Sequence, residues 1–212
     1  MVKVCCIGSL EEAEQALALG ASALGLVSAM PSGPGVITEP MIARIAAAMA
    51  GRADTFLLTA LQEADALVDQ HRRCGTTTLQ LVDRVPEPEL RRLRGGLPGV
   101  RLVQVIHVRN QDSVEEAVAV APLVDALLLD SGNPDLAVKE LGGTGRTHDW
   151  SLSRQIREAV AVPVWLAGGL GPGNVAAAVA TVAPHGLDLC SGLRTAGRLD
   201  PVKLAALFSA LA

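Results

Sequence analysis

Short apolar runs alternate along the whole chain with longer amphipathic stretches. Residues 2–7, 22–27, 55–59, 77–81, 101–106, 126–129, 162–167 and 186–189 are compact and apolar enough to read as strands. Helical periodicity fills the intervals, over 11–19, 39–49, 62–73, 86–94, 112–120, 150–160, 174–182 and 201–211. Local signals fix several ends. Ser9 stands before the first helix with Glu12 three places on, the capping-box spacing, and Gly20 suits the C-terminal end. Thr38 is placed to cap the second helix, and Pro86 stands in the first turn of the fourth. Residues 30–36, with two prolines and two glycines, can only be a loop.

Strands that alternate with helices of this length require right-handed parallel crossovers. Their near-continuous apolar character says that both faces are covered. Eight strand–helix pairs in 212 residues predict an α/β chain, a single-domain (β/α)8 TIM barrel over 1–212. A doubly wound open sheet is the competing arrangement. It would normally place a glycine-rich dinucleotide turn after the first strand, and Cys6-Ile7-Gly8-Ser9 is not one.

One interval breaks the rhythm. The apolar run 126–129 stops on a carboxylate, Asp130, and a long glycine-containing segment follows before a helix starts near Asp149. Loops of this length in a compact domain are usually lids or binding segments. In a barrel the site lies at the strand C-termini. The candidates there are Cys5 and Cys6, the 28–36 loop, Thr59, 80–83, His107, Asp130, 167–169 and 190–192. Strand alternation allows only one of Cys5 and Cys6 to face inward in a regular strand. A thiol on the first strand and a carboxylate on the sixth could act as base and acid on two ends of one small substrate. Taken alone, Cys5 is more readily a core thiol. The glycine-rich turns after strands seven and eight, LAGGLGPGNV and DLCSGL, stand where barrels bind phosphate on backbone N–H groups.

Composition narrows the field. Half the residues are apolar, the formal net charge is −4 and no basic run occurs, which argues against a nucleic-acid surface. No uninterrupted apolar stretch is long enough for a membrane span, and the N-terminal residues lack a signal-peptide pattern. The four cysteines match no zinc spacing and need no disulfide, so free thiols in a cytoplasmic setting are expected, with no metal or cofactor.

These residues carry a family resemblance over nearly the whole chain. KVCCIGSLEEAEQALALGASALGLV, LLLD…GGTGRTHDWS, WLAGGLGPGNV and DLCSGL resemble the phosphoribosylanthranilate isomerase family of tryptophan biosynthesis. The Gly-Gly-Thr-Gly…Asp-Trp element is the most specific of them. The resemblance implies an Amadori rearrangement of a phosphoribosylated amine, an aldose–ketose isomerisation by an intramolecular oxidoreductase. It implies Cys5 as base and Asp130 as acid, with the substrate phosphate on Gly143, Gly145, Gly168, Gly169, Ser191 and Gly192. The partner is then a small phosphorylated sugar-amine, and the enzyme a monomer or homodimer.

Departures fall inside the site. Cys6 replaces the glycine that follows the family's base, and Gly35 stands where the family has an arginine for the anthranilate carboxylate. Val82 and Asp83 replace a His-Gly pair, and Arg194 replaces a glutamate. Arg194, Arg146 or Arg109 could supply the missing cation, and His107, after the fifth strand, could touch substrate or equally be a hydrogen-bonded loop histidine. Two further readings remain open: a related isomerase for a different phosphorylated aminosugar, and a sugar-phosphate-binding barrel without turnover.

Overall fold

The computed structural model describes residues 1–142 and 145–212. Eight parallel strands close into a barrel in sequence order: β1 Val2–Val4, β2 Ala23–Val27, β3 Asp54–Thr59, β4 Thr78–Leu81, β5 Arg101–His107, β6 Ala126–Asp130, β7 Val164–Leu166 and β8 Gly186–Leu189. Each is followed by a helix: α1 Leu10–Ala18, α2 Glu39–Met49, α3 Ala64–Cys74, α4 Glu87–Gly96, α5 Asp112–Val120, α6 Trp150–Ala159, α7 Val175–Val182 and α8 Pro201–Leu211. The expected (β/α)8 architecture is therefore what the chain adopts. A two-strand ribbon, β9 Arg194–Thr195 with β10 Arg198–Leu199, is inserted before α8. No helix among the described residues is long and apolar enough to cross a membrane.

Alternation along each strand sorts the core into two layers. Val2, Val4, Leu24, Leu26, Leu79, Leu127, Leu129 and Leu166 point outward to a large cluster that includes helix residues such as Ile42, Ile45, Leu67 and Ile156. Ala23, Val27, Phe56, Leu58, Val103, Val105, Leu128 and Trp165 point inward and fill the barrel. Trp165 lies edge-on to Phe56, ring centroids 5.5 Å apart. It fits because position 186 is glycine: a Cβ there would lie 2.5 Å from the indole.

The helix caps follow the sequence signals. Ser9 Oγ accepts the Glu12 N–H at 3.2 Å, and Thr38 Oγ1 the Met41 N–H at 3.4 Å. Such caps each contribute about 1 kcal/mol. Glu12 reaches back to the Gly8 N–H at 2.9 Å and so fixes the turn that leaves β1.

Candidate active site

The same alternation turns Lys3, Gln80 and Asp188 into the barrel. Lys3 and Asp188 are register partners on β1 and β8. The fully buried Lys3 ammonium donates to Asp188 Oδ2 at 2.8 Å and to Gln80 Oε1 at 2.7 Å, and lies 5.0 Å from the Phe56 ring centroid. Burial alone would lower the Lys3 pKa, but the Asp188 carboxylate, with help from Cys5, outweighs it and holds the ammonium above its ordinary value. Removing one partner of such a pair costs about 3–5 kcal/mol, because the other charge stays buried. Asp188 lines the cavity above, and its buried Oδ1 has no protein donor.

That cavity opens at the strand C-termini and is lined by Cys5, Cys6, Gln80, Asp130, Asp188 and Cys190, with Val27, Met30, Pro34, Leu58 and Leu141 on its apolar side. Cys5 continues the β1 ladder, its N–H donating to Leu189 O at 2.8 Å, and points inward as Lys3 does. A Cβ on Gly25 would come within 2.7 Å of Cys5 Sγ and 3.1 Å of Lys3 Cε, so glycine on β2 makes the space in which both side chains sit. Cys6 does not obey strand alternation. Its φ is +61°, in the left-handed region, and its sulfur also borders the cavity. The expectation that only one of the two thiols faces inward therefore fails, because regular strand geometry ends at Val4. Gly35 adjusts to the same residue: its φ is +79°, and a Cβ there would lie 2.4 Å from Cys6 Cβ.

Asp130 closes β6 on the other side of the ring. Desolvation raises its pKa, opposed by the Ser131 N–H, which donates to Oδ1 at 2.7 Å, and by His107. Gly142, φ +134°, passes directly over it, and a Cβ would come within 2.8 Å of Asp130 Oδ2. The long segment after Asp130 is pinned by reciprocal backbone bonds between Asn133 and Glu140, at 2.8 and 3.0 Å. It also meets the β2 loop, where Ser32 Oγ donates to Lys139 O. Of its described residues, Leu141, Gly142 and Gly145 line the cavity. Gly143 lies outside the described residues.

The turns after β7 and β8 form a second, adjoining hollow lined by Gly145, Gly169, Leu170, Gly171, Asn174, Ser191 and Gly192. Gly168 and Gly169 have φ of +82° and +60°. Asn174 braces the turn, accepting the Gly171 N–H at 2.9 Å and donating to Gly169 O at 3.0 Å. A Cβ on Gly192 would lie 2.1 Å from Leu170 O, so the two turns touch backbone to backbone. Such a hollow, beside the first turn of α7, can take an anion on N–H groups.

The remaining sequence candidates go elsewhere. The nearly buried Arg194 points back under β1, where it pairs with Glu12 at 3.1 Å and donates to the carbonyls of Cys5, at 3.1 Å, and Cys6. Burial would lower Arg194, and Glu12 outweighs it. Val82 is buried, and its carbonyl bonds the His107 ring at 3.0 Å. His107 and Arg109 border a different, polar pocket with Asp83 and Lys139. Arg109 pairs there with Asp135 at 2.7 Å, and Arg146 pairs with Glu140 on the lid. Thr59 is buried and caps its own strand, accepting the Leu61 N–H at 3.2 Å. His148 packs against Gly168; burial lowers its pKa to about 4, so the ring is neutral. Lys3 and Asp188 went unnoticed in the sequence. Their signal was a charge at an inward position of two otherwise apolar strands.

Comparison with known proteins agrees with this geometry. The family model described as N-(5'-phosphoribosyl)anthranilate (PRA) isomerase matches residues 60–210. The N-(5'-phosphoribosyl)anthranilate isomerase of Methanocella arvoryzae is 33% identical over 203 residues, covering 96% of this chain and 93% of its own. That of Trichormus variabilis is 34% identical over 212 residues, covering 99% and 97%. Among solved structures, the phosphoribosyl anthranilate isomerase of Thermus thermophilus superposes with a TM-score of 0.83 at 26% identity, covering 99% of this chain and 97% of its own.

Proposed function

Because the chain belongs to the phosphoribosylanthranilate isomerase family, whose members are intramolecular oxidoreductases of tryptophan biosynthesis, we propose that it isomerises a phosphoribosylated aromatic amine with Cys5 as base and Asp130 as acid. The observation that carries this reading is the shared cavity. Both groups border it from opposite sides, and the glycine-lined hollow adjoins it.

The chemistry follows from placement. With the phosphate on the backbone N–H groups of the 168–171 and 191–192 turns, the sugar lies over Asp188 and Gln80. A carboxyl that desolvation keeps protonated to higher pH suits proton delivery to the ring oxygen. The amine lone pair opens the ring as that oxygen takes the proton, giving an iminium. The Cys5 thiolate then removes the C2 proton, and the resulting enolamine returns to the ketone as the amino-ketose product. Asp188 Oδ1, buried without a donor, can accept from a sugar hydroxyl. Fixing the sugar phosphate and excluding water under the lid supply orientation, which accounts for much of the acceleration in such sites.

The test is a fluorescence assay with freshly made phosphoribosylanthranilate on the wild type, Cys5→Ala and Asp130→Asn. Loss of a proton-transfer group should lower kcat by about 10²–10⁴-fold in each variant. Near-normal rates in both would overturn the assignment. Inorganic phosphate stabilising a wild type that turns over no amine would favour the binding barrel instead.

A further inference from the structure

Cys6 and Cys190 follow the neighbouring strands β1 and β8, and neither carries a proton in the mechanism above. Their sulfurs are 2.6 Å apart. That is well inside the ~3.5–4.0 Å at which even carbon atoms rest. The contact exists because Cys6 adopts φ +61°, a conformation that disfavours any residue with a Cβ. In the strand conformation its side chain would turn to the other face. Both residues line the same cavity as Cys5, so a small solute that reaches Cys5 comes to this pair. Their acidities diverge. The contact with Cys6, aided by Arg194, lowers Cys190 against the effect of burial, and the same contact raises Cys6. Cys190, beside Arg194, is thus the sulfur of the pair that ionises first.

We infer that Cys6 and Cys190 form a modification site, a thiol pair that a hydroperoxide converts to an intramolecular disulfide. The Cys190 thiolate attacks the terminal peroxide oxygen. The O–O bond breaks, and the leaving alkoxide, or hydroxide from hydrogen peroxide, takes up a proton. Cys190 is then a sulfenic acid. Cys6 sulfur attacks Cys190 sulfur, the S–S bond forms, the S–O bond breaks, and the departing hydroxide leaves as water with the Cys6 proton. The two thiols lose two electrons, and the peroxide gains them. Reaching the ~2.05 Å disulfide bond length needs a shift of only about half an ångström. The bond would join the residue after Cys5 to the residue before Ser191, and so pull on both the proposed base and the phosphate turn. The expected loss of turnover rests on the functional reading above; the formation of the disulfide does not.

The experiment treats the reduced protein with hydrogen peroxide, alkylates remaining thiols, and maps peptides by mass. A Cys6–Cys190 cross-linked peptide that dithiothreitol releases and Cys190→Ser lacks is the expected result. The isomerase rate of the wild type should fall by one to two orders of magnitude and recover with dithiothreitol, as for a small misplacement of reacting groups. Recovery of Cys6 and Cys190 as alkylated thiols, as sulfinic acids, or linked to Cys5 instead would overturn the proposal. The wild-type map decides this even if the serine variant fails to fold.

Discussion

On the β7–β8 side, the cavity wall is backbone. In the hollow there, Gly145, Gly169, Gly171, Gly173 and Gly192 leave the backbone bare, and Asn174 and Ser191 are the polar side chains among the described residues that line it. On the β2 and lid side, the wall is side chain: Met30, Pro34, Leu58 and Leu141. Two kinds of change follow. A backbone site is specified by the absence of Cβ atoms, so substitution there is blocked sterically. A side-chain wall can be rewritten one residue at a time. Of the positions where the resemblance breaks, Gly35 and Val82 lie away from the glycine turns, whereas Cys6 touches Cys190 and Arg194 directly follows the Ser191–Leu193 turn.

The largest expected contrast is at Gly192. Replacing it with alanine puts a Cβ 2.1 Å from Leu170 O, which forces the two turns apart. KM for the phosphorylated substrate should rise by about 10²-fold, with kcat less affected, and inorganic phosphate should no longer raise Tm. An unchanged KM would mean that the phosphate binds elsewhere. A middle-sized effect tests the other wall. Gly35→Ala is strained by φ +79° and by Cys6 Cβ at 2.4 Å, and should destabilise the protein by about 1–3 kcal/mol in urea unfolding. In a Cys6→Gly background part of that loss should vanish, giving a coupling of about 0.5–3 kcal/mol. Strict additivity would show that the two positions changed independently. The smallest effect is a limb of the pH–rate profile. Because desolvation raises the Asp130 carboxyl, its acid form persists above the ordinary carboxylate range. kcat/KM should fall as pH rises through that raised value, and the limb should be missing from any residual activity of Asp130→Asn.

Much of this was legible in the sequence. The apolar runs gave all eight strands because each is covered on both faces, and Ser9 and Thr38 cap their helices as their spacing required. Position at the strand C-termini put Cys5 and Asp130 among the candidates, and the family resemblance alone singled out Cys5 over Cys6; both line the cavity. What escaped depends on contacts distant in the chain. That Cys6 leaves strand geometry is settled by Gly35 and Cys190, neither of which is local to it. Arg194 suggested a free cation for a substrate, but Glu12 and the carbonyls of Cys5 and Cys6 hold it under β1. β1 ends early for the same reason, and β7 begins only after Pro163, whose carbonyl accepts from Leu127 at 3.0 Å.

The Lys3–Asp188 pair also bears on how the chain reaches this state. Its partners are 185 positions apart, and β1 has β8 as one of its two neighbours. During synthesis, the strand that carries Cys5 is made first but lacks that neighbour until the last strand has emerged. Contacts of such sequence separation are slow to form, and the intermediates that precede them are exposed to aggregation. Assembly of the proposed proton-transfer site is therefore coupled to ring closure. A nascent chain that stops short of β8 leaves Lys3 without its counter-charge and Cys5 on an open sheet edge.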